Sequence, residues 1–263
     1  MPPANVKWGS LVGQSLLFLG VAHGFRLATE EGTRQGMRGK FWQGYASSVG
    51  NLHGWSDKDP AYVNYLGHPL QGSVAGYIWA NNDPRYEDVI FGSDKRYWKS
   101  RLRATAFSFV YSTQFEIGPL SEATIGKIQS RHPQEWLGDQ VVAPVSGMGW
   151  MVAEDMIDRY VITWFEDRVE NPYLRMLVRG LNPSRSMANL MAFKVPWYRT
   201  NRPGAHRYRK GMSYYRGRIE DDVPIERKEP VFQLQTPFEY WRFGSIECIG
   251  GSAAGIFRVS TSW

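Results

Sequence analysis

Three ionisable side chains, His68, Glu116 and Glu154, each stand in a stretch of small or apolar residues. An imidazole with two carboxylates could serve as acid, base or metal ligand, since these donors suit zinc or iron. Even with Asp139 as a fourth donor the ligands are scattered, and no H-x-x-E or H-E-x-x-H spacing joins them, so no metal and no other cofactor is expected. A plainer role is available for each. His68 precedes Pro69 at a helix start, where it can cap or bond a neighbouring backbone group. Glu116 and Glu154 can pair with Arg101, Arg103 or Arg159, because a buried carboxylate is costly unless paired. Asp155 and Arg159, four residues apart, can pair along a helix surface. Asp57 and Asp59 form a D-x-D that reads as a solvated turn. No G-x-S-x-G elbow, phosphate-binding G-x-x-x-x-G-K-[ST] loop or dinucleotide fingerprint stands in a suitable context, and Cys248 has no evident His partner.

The elements that must position these groups share one device, small residues repeated four apart with an ionisable residue on the same helix face. His68, Gly72 and Gly76 form one ladder; Ser100, Ala104, Ser108, Ser112 and Glu116 a second; Gly147, Met151, Glu154 and Asp158 a looser third. Residues three or four apart share a face, so each ladder lets another helix approach closely with a polar group in the contact. Such packing suits helices meeting in or near a membrane. A buried polar network of His68, Ser108, Ser112, Glu116, Asp139, Glu154, Asp158 and Arg159 is therefore expected, with His68, Glu116 and Glu154 converging. On that reading Glu154→Gln does more damage than the same change at Glu166, taken as a surface residue.

Periodicity and stop signals predict a first helix from about Val6 to Glu30, stopped by Gly32 and Gly36, then a polar Gly-rich connection. A second helix starts near Pro69, a residue suited to the first turn. A third covers about Lys95 to Ile117, and a fourth runs from Asp139 to about Val169 with Pro144 as a bend. Two shorter helices follow, Pro172 to Arg179 and Pro183 to Phe193. After Pro230 the period changes to two: Phe232, Leu234, Phe238 and Tyr240 alternate with polar residues, as do Phe257 and Val259. Two strands are rarely stable alone, and this alternation is what a transmembrane β-barrel needs, so a truncated barrel or hairpin is expected. The fold class is accordingly mainly α, with a helical membrane-associated module over 1–226 and a strand segment over 227–263.

At 263 residues the chain is long enough for a real core, and its 43% hydrophobic and 21% charged content excludes general disorder. Eleven Trp, 14 Tyr and 13 Phe favour a membrane-facing surface, where an apolar body meets a wet boundary. The net charge of +6 is concentrated between Lys194 and Arg218, which hold eight basic residues and no acidic one, interleaved with aromatics. Lys194, Arg199, Arg202, Arg207, Arg209 and Lys210 are expected to contact lipid headgroups, lipopolysaccharide or another polyanion; a solvated loop is the bland alternative and nucleic acid the weaker one. One cysteine excludes a disulfide framework. Leu11 to Ala22 is an apolar run with a thin charged region ahead of it and no A-x-A site, so it reads as a helix of the folded domain. No segment reads as an orthodox spanning helix of about twenty apolar residues.

The elements His68-Pro69-Leu70-Gln71-Gly72, the Ser-rich helix ending Gln114-Phe115-Glu116, and Asp139 to Arg159 with Pro144, Gly147, Gly149 and Glu154 occur in an order that resembles an uncharacterised bacterial envelope family, a helical module ahead of an outer-membrane β-barrel. Val63 to Asp83, Tyr97 to Ile125 and Leu181-Asn182-Pro183-Ser184-Arg185 look still more like hypothetical proteins from acidobacteria. The likeness spans about Trp8 to Val259 and rests on the ordered set of elements. It implies the bacterial outer membrane or the periplasmic face of the envelope, and no activity. Two functional classes stand: a non-enzymatic envelope protein with a structural or assembly role, packing with its own C-terminal barrel, or a membrane-associated hydrolase of lipid or glycan using His68, Glu116 and Glu154.

Overall fold

The computed structural model describes residues 5–37, 41–50, 63–125 and 137–202; Asp57, Asp59, Arg207, Arg209, Lys210, Cys248 and the two expected strands lie outside them. Among the described residues the chain is a packed, mainly α-helical bundle without strands. The helices are α1 (Trp8–Thr29), α2 (Glu31–Gly36), α3 (Phe41–Gly50), α4 (His68–Asn82), α5 (Lys95–Ile117), α6 (Glu122–Ile125), α7 (Leu137–Met156), α8 (Thr163–Glu166), α9 (Pro172–Arg179) and α10 (Pro183–Met191). A π-helical turn, Val63–Gly67, leads into α4, and another, Ile157–Ile162, joins α7 to α8.

The predicted boundaries of α5 and α9 agree with the structure because their stop signals are local. Asp94 accepts from the backbone N–H of Tyr97 at 2.9 Å to start α5, and Asn171 accepts from the N–H groups of Tyr173 and Leu174 to start α9. The first helix ends at Thr29, earlier than Gly32 and Gly36, which lie inside the short α2. Thr33 donates to the Glu30 carboxylate at 2.6 Å, and this side-chain contact sustains a turn that glycine content alone would discourage. Within the expected polar connection, residues 41–50 form α3.

Helices α4, α5 and α7 make the central layer, and the small-residue ladders line their contacts. A Cβ on Gly72 would overlap the backbone carbonyl of Ala143, and one on Gly147 would lie 2.7 Å from the Gly72 carbonyl carbon. Here α4 and α7 pack backbone to backbone, which only the missing side chains permit. Ser108 Oγ donates to the Gly72 carbonyl at 2.9 Å, so α5 closes the same seam. The order of contacts fixes direction: Gly72 meets Ala143 and Gly76 meets Met151, so α4 and α7 run parallel, while Ser108 meets Gly72 and Arg101 lies over Tyr77, so α5 runs antiparallel to both.

Helix α1 packs on this layer through Leu11, Phe18 and Leu19, with Trp8 edge-on to Trp79 and Phe18 stacked on Tyr111 at 5.3 Å. Contrary to the sequence expectation, α1 is long and apolar enough to cross a membrane, the one such helix among the described residues, and it is consistent with a signal sequence or a single anchor. Between Trp8 and Thr29 it carries Arg26 as its single Asp, Glu, Lys or Arg, so the helix continues the apolar run of residues 11–22 through Phe25 and Leu27.

Candidate functional site

The structure does not bring the three expected site residues together: His68 and Glu116 lie at one end of the central layer and Glu154 at the other. His68 opens α4 and is buried. Glu116 is buried near the end of α5, in the field of Arg26, which pairs with Glu122 at 2.5 Å and Glu30 at 3.2 Å. Glu154 lies near the far end of α7, whose next residue, Asp155, meets Arg101 on α5. Arg101 and Glu116 are fifteen positions apart on one helix, about 22 Å along its axis at 1.5 Å per residue. The expected convergence of His68, Glu116 and Glu154 therefore fails, because parallel α4 and α7 put His68 at the opposite end from Glu154. With it goes any shared hydrolytic or metal site of these three; among the described residues no three His, Cys, Asp or Glu side chains gather to hold a metal.

The expected polar network divides accordingly. Ser108 and Ser112 are buried, Glu154 and Asp158 belong to the far end, and Arg159 donates to the carbonyl of Phe91 while Asp155 is held by Arg101 and Arg185. The side chain of Asp139 lies outside the described residues. Arg103 stands 4.0 Å from Asp83, so neither it nor Arg101 provides the expected partner for Glu154.

Glu154 instead caps another helix. Its Oε1 accepts from the Ser184 backbone N–H at 2.8 Å and its Oε2 from that of Arg185 at 3.2 Å, at the start of α10, where the preceding Asn182 offers no side-chain cap. A carboxylate is favoured there by the free N–H groups and the helix dipole. Trp150 Nε1 adds a third donor at 2.9 Å. Burial outweighs these donors and raises the Glu154 pKa above its ordinary value.

Beside it lies a charge cluster. Asp155 accepts from Arg101 at 2.6 Å, Arg185 at 2.5 Å, and the hydroxyls of Tyr77 and Tyr97 at 2.9 Å each. Burial and the Asp155 charge push both tyrosines up, so they remain neutral donors. One turn on, Asp158 receives Arg199 at 3.0 Å and Arg202 at 2.5 Å, and Arg202 also reaches Glu166 at 2.8 Å, which pairs with Arg179. Burial alone would raise the Asp158 pKa, but Arg202 and Arg199 outweigh it and hold the carboxyl well below the usual range. The π-helical turn is part of this arrangement: Thr163 Oγ1 donates to the Asp158 carbonyl five residues back, and Thr163 also accepts from Arg202.

Two expectations are thereby overturned. Arg199 and Arg202, expected at a lipid or polyanion surface, are buried against Asp158 and Glu166, because interior carboxylates bind them more strongly than a screened surface would. Glu166 is buried as well. Lys194 is half-buried, its amine 4.4 Å from the Tyr198 ring centre. Tyr77, Tyr97 and Arg185 carry no sign of this role in the sequence; Arg101, expected against Glu116 or Glu154, meets Asp155 instead, and Glu166 is expected at the surface. A signal existed in α9, where Arg175 and Arg179 share one face and Tyr173, Leu174 and Leu177 lie apart from them; the structure turns the arginines inward, each 1% exposed, and leaves Leu177 72% exposed. Such an arrangement fixes helices in place and seals carboxylates from solvent. Compared with protein-family models, curated proteins and solved structures, the chain matches none of them.

Proposed function

We propose that the chain is a bacterial cell-envelope protein associated with the outer membrane, whose helical module has a structural or assembly role rather than a catalytic one. The observation that carries this reading is the inverted α9, charges inside and large apolar side chains outside. A soluble surface normally shows the opposite division, and an apolar or interfacial medium removes the penalty of exposing Leu177. The backbone-close seam of Gly72, Ala143 and Gly147 adds support, as does the ordered resemblance to envelope proteins with a helical module ahead of a β-barrel. In this reading the module packs at the periplasmic side of a barrel or within it, with membrane lipid or lipopolysaccharide as neighbour. The carboxylates of Asp155, Asp158 and Glu166 are held by arginines, as a scaffold requires and a general acid or base does not. Fractionation of cells making the full-length protein tests the reading: recovery in the outer-membrane fraction, released only by detergent, is expected. Recovery solely in the soluble cytosol overturns it.

A further inference from the structure

We infer that one end of the bundle is a docking surface for anionic lipid headgroups, built from the starts of α1 and α5. This rests on the membrane association proposed above and names the lipid chemistry that the module recognises. Two Lys–Trp neighbours carry it: Lys7 with Trp8, and Lys99 with Trp98. Both come to the same end of the molecule, because the Lys7 backbone N–H donates to the Asn82 carbonyl at the end of α4, and α5 begins beyond the turn that follows.

Most of the acidic groups at this end are committed elsewhere, Glu87 being exposed in the field of Lys194. Asp83 holds Arg85 at 2.6 Å, Asp88 holds Arg96 at 2.6 Å, and Asp94 caps α5. Lys7, Lys95 and Lys99 are exposed, and among the described residues no carboxylate is paired with them. Trp8 is 61% exposed and Trp98 39%, and Tyr160 is exposed nearby, its ring 6.0 Å from that of Phe91. Lysines beside exposed Trp and Tyr match an anionic membrane interface, where the rings sit at headgroup level and the ammonium groups meet phosphate. Among the described residues the opposite end instead gathers the carboxylates of Glu30, Glu116 and Glu122 around Arg26. Charge complementarity thus selects one end and an anionic bilayer. A second copy docking through the same patch would set these lysines against their own symmetry mates.

Flotation of the full-length protein with phosphatidylcholine vesicles, with and without phosphatidylglycerol, tests the proposal. Anionic vesicles should bind more tightly, and the double variant Lys95→Gln, Lys99→Gln should lose about thirtyfold of that affinity, at roughly fivefold for each lysine near the surface. Arg34→Gln, at the other end, should bind as wild type does. Because both lysines are exposed, folding is checked by an unchanged far-ultraviolet circular dichroism spectrum, and Lys95→Arg, Lys99→Arg should retain binding. Equal binding to both vesicle types, wild-type binding by the Gln double variant, an equal loss in Arg34→Gln, or an equal charge-dependent affinity for soluble heparin would each overturn it. A protein recovered only from the cytosol would instead refute the envelope reading, whereas membrane recovery without anionic preference refutes the docking surface alone.

Discussion

The seam at Gly72 and the cluster at Asp158 lie along the same helix layer and hold it by opposite means. At the seam, side chains are absent or reduced to hydroxyls, and two backbones touch. At the cluster, long arginines span the gap between helices and end on carboxylates. The seam tolerates no added atom, while the cluster tolerates no lost charge. Close packing and buried ion pairs thus fail in different ways, and substitutions should tell them apart.

The largest effect is expected at the cluster. Asp158→Asn leaves Arg199 and Arg202 without their shared countercharge, and breaking a buried pair costs about 3–5 kcal/mol, measurable as a lowered unfolding midpoint in detergent. Its sign with pH follows from the depressed folded pKa of Asp158. The stability it contributes is full above the unfolded value of about 3.9 and is lost as pH falls below it, so wild type and variant should converge in acid. At the seam, Gly72→Ala should destabilise by about 1–3 kcal/mol through overpacking against the Ala143 carbonyl. Gly76→Ala should do less, because the atom it meets is the flexible Met151 sulfur.

Glu154→Gln should cost less than Glu166→Gln, since Glu154 binds neutral N–H groups that an amide oxygen can still accept, whereas Glu166 faces Arg179 and Arg202. The pH dependence has the reverse sign to that of Asp158. With its folded pKa raised, the contribution of Glu154 is full below the ordinary value of 4.5 and is lost as pH rises through the folded value, so Gln should remove that loss. Thermal unfolding at several pH values reads both. The smallest effect is expected for Arg96→Gln, an exposed pair with Asp88 worth about 0–1 kcal/mol.

The seam was legible in the sequence because four-residue spacing of Gly, Ala and Ser is a local pattern that maps directly onto one helix face. Helices α4, α5, α9 and α10 followed from the same periodicity with Pro, Asn and Asp at their ends, while the single helix expected from Asp139 to about Val169 is divided into α7, a π-helical turn and α8. The partners of the charges were not legible. Arg101 reaches Asp155 across 54 positions and Arg202 reaches Asp158 across 44, and nothing local distinguishes an arginine that folds inward from one that faces solvent. Arg199 and Arg202 sat in a basic run that looked like a surface, yet two helix-borne carboxylates draw them inside. The separation of His68 from Glu154 had a similar origin: ladders identify faces but not the relative direction of the helices that share them.

A double-mutant cycle on Asp158→Asn and Arg202→Gln, read by equilibrium unfolding of the full-length protein in detergent micelles, tests most directly the claim that buried charge here is structural. A coupling of about 2 kcal/mol or more is expected, with membrane recovery retained in all folded variants. Single effects that add to within about 0.5 kcal/mol would contradict it.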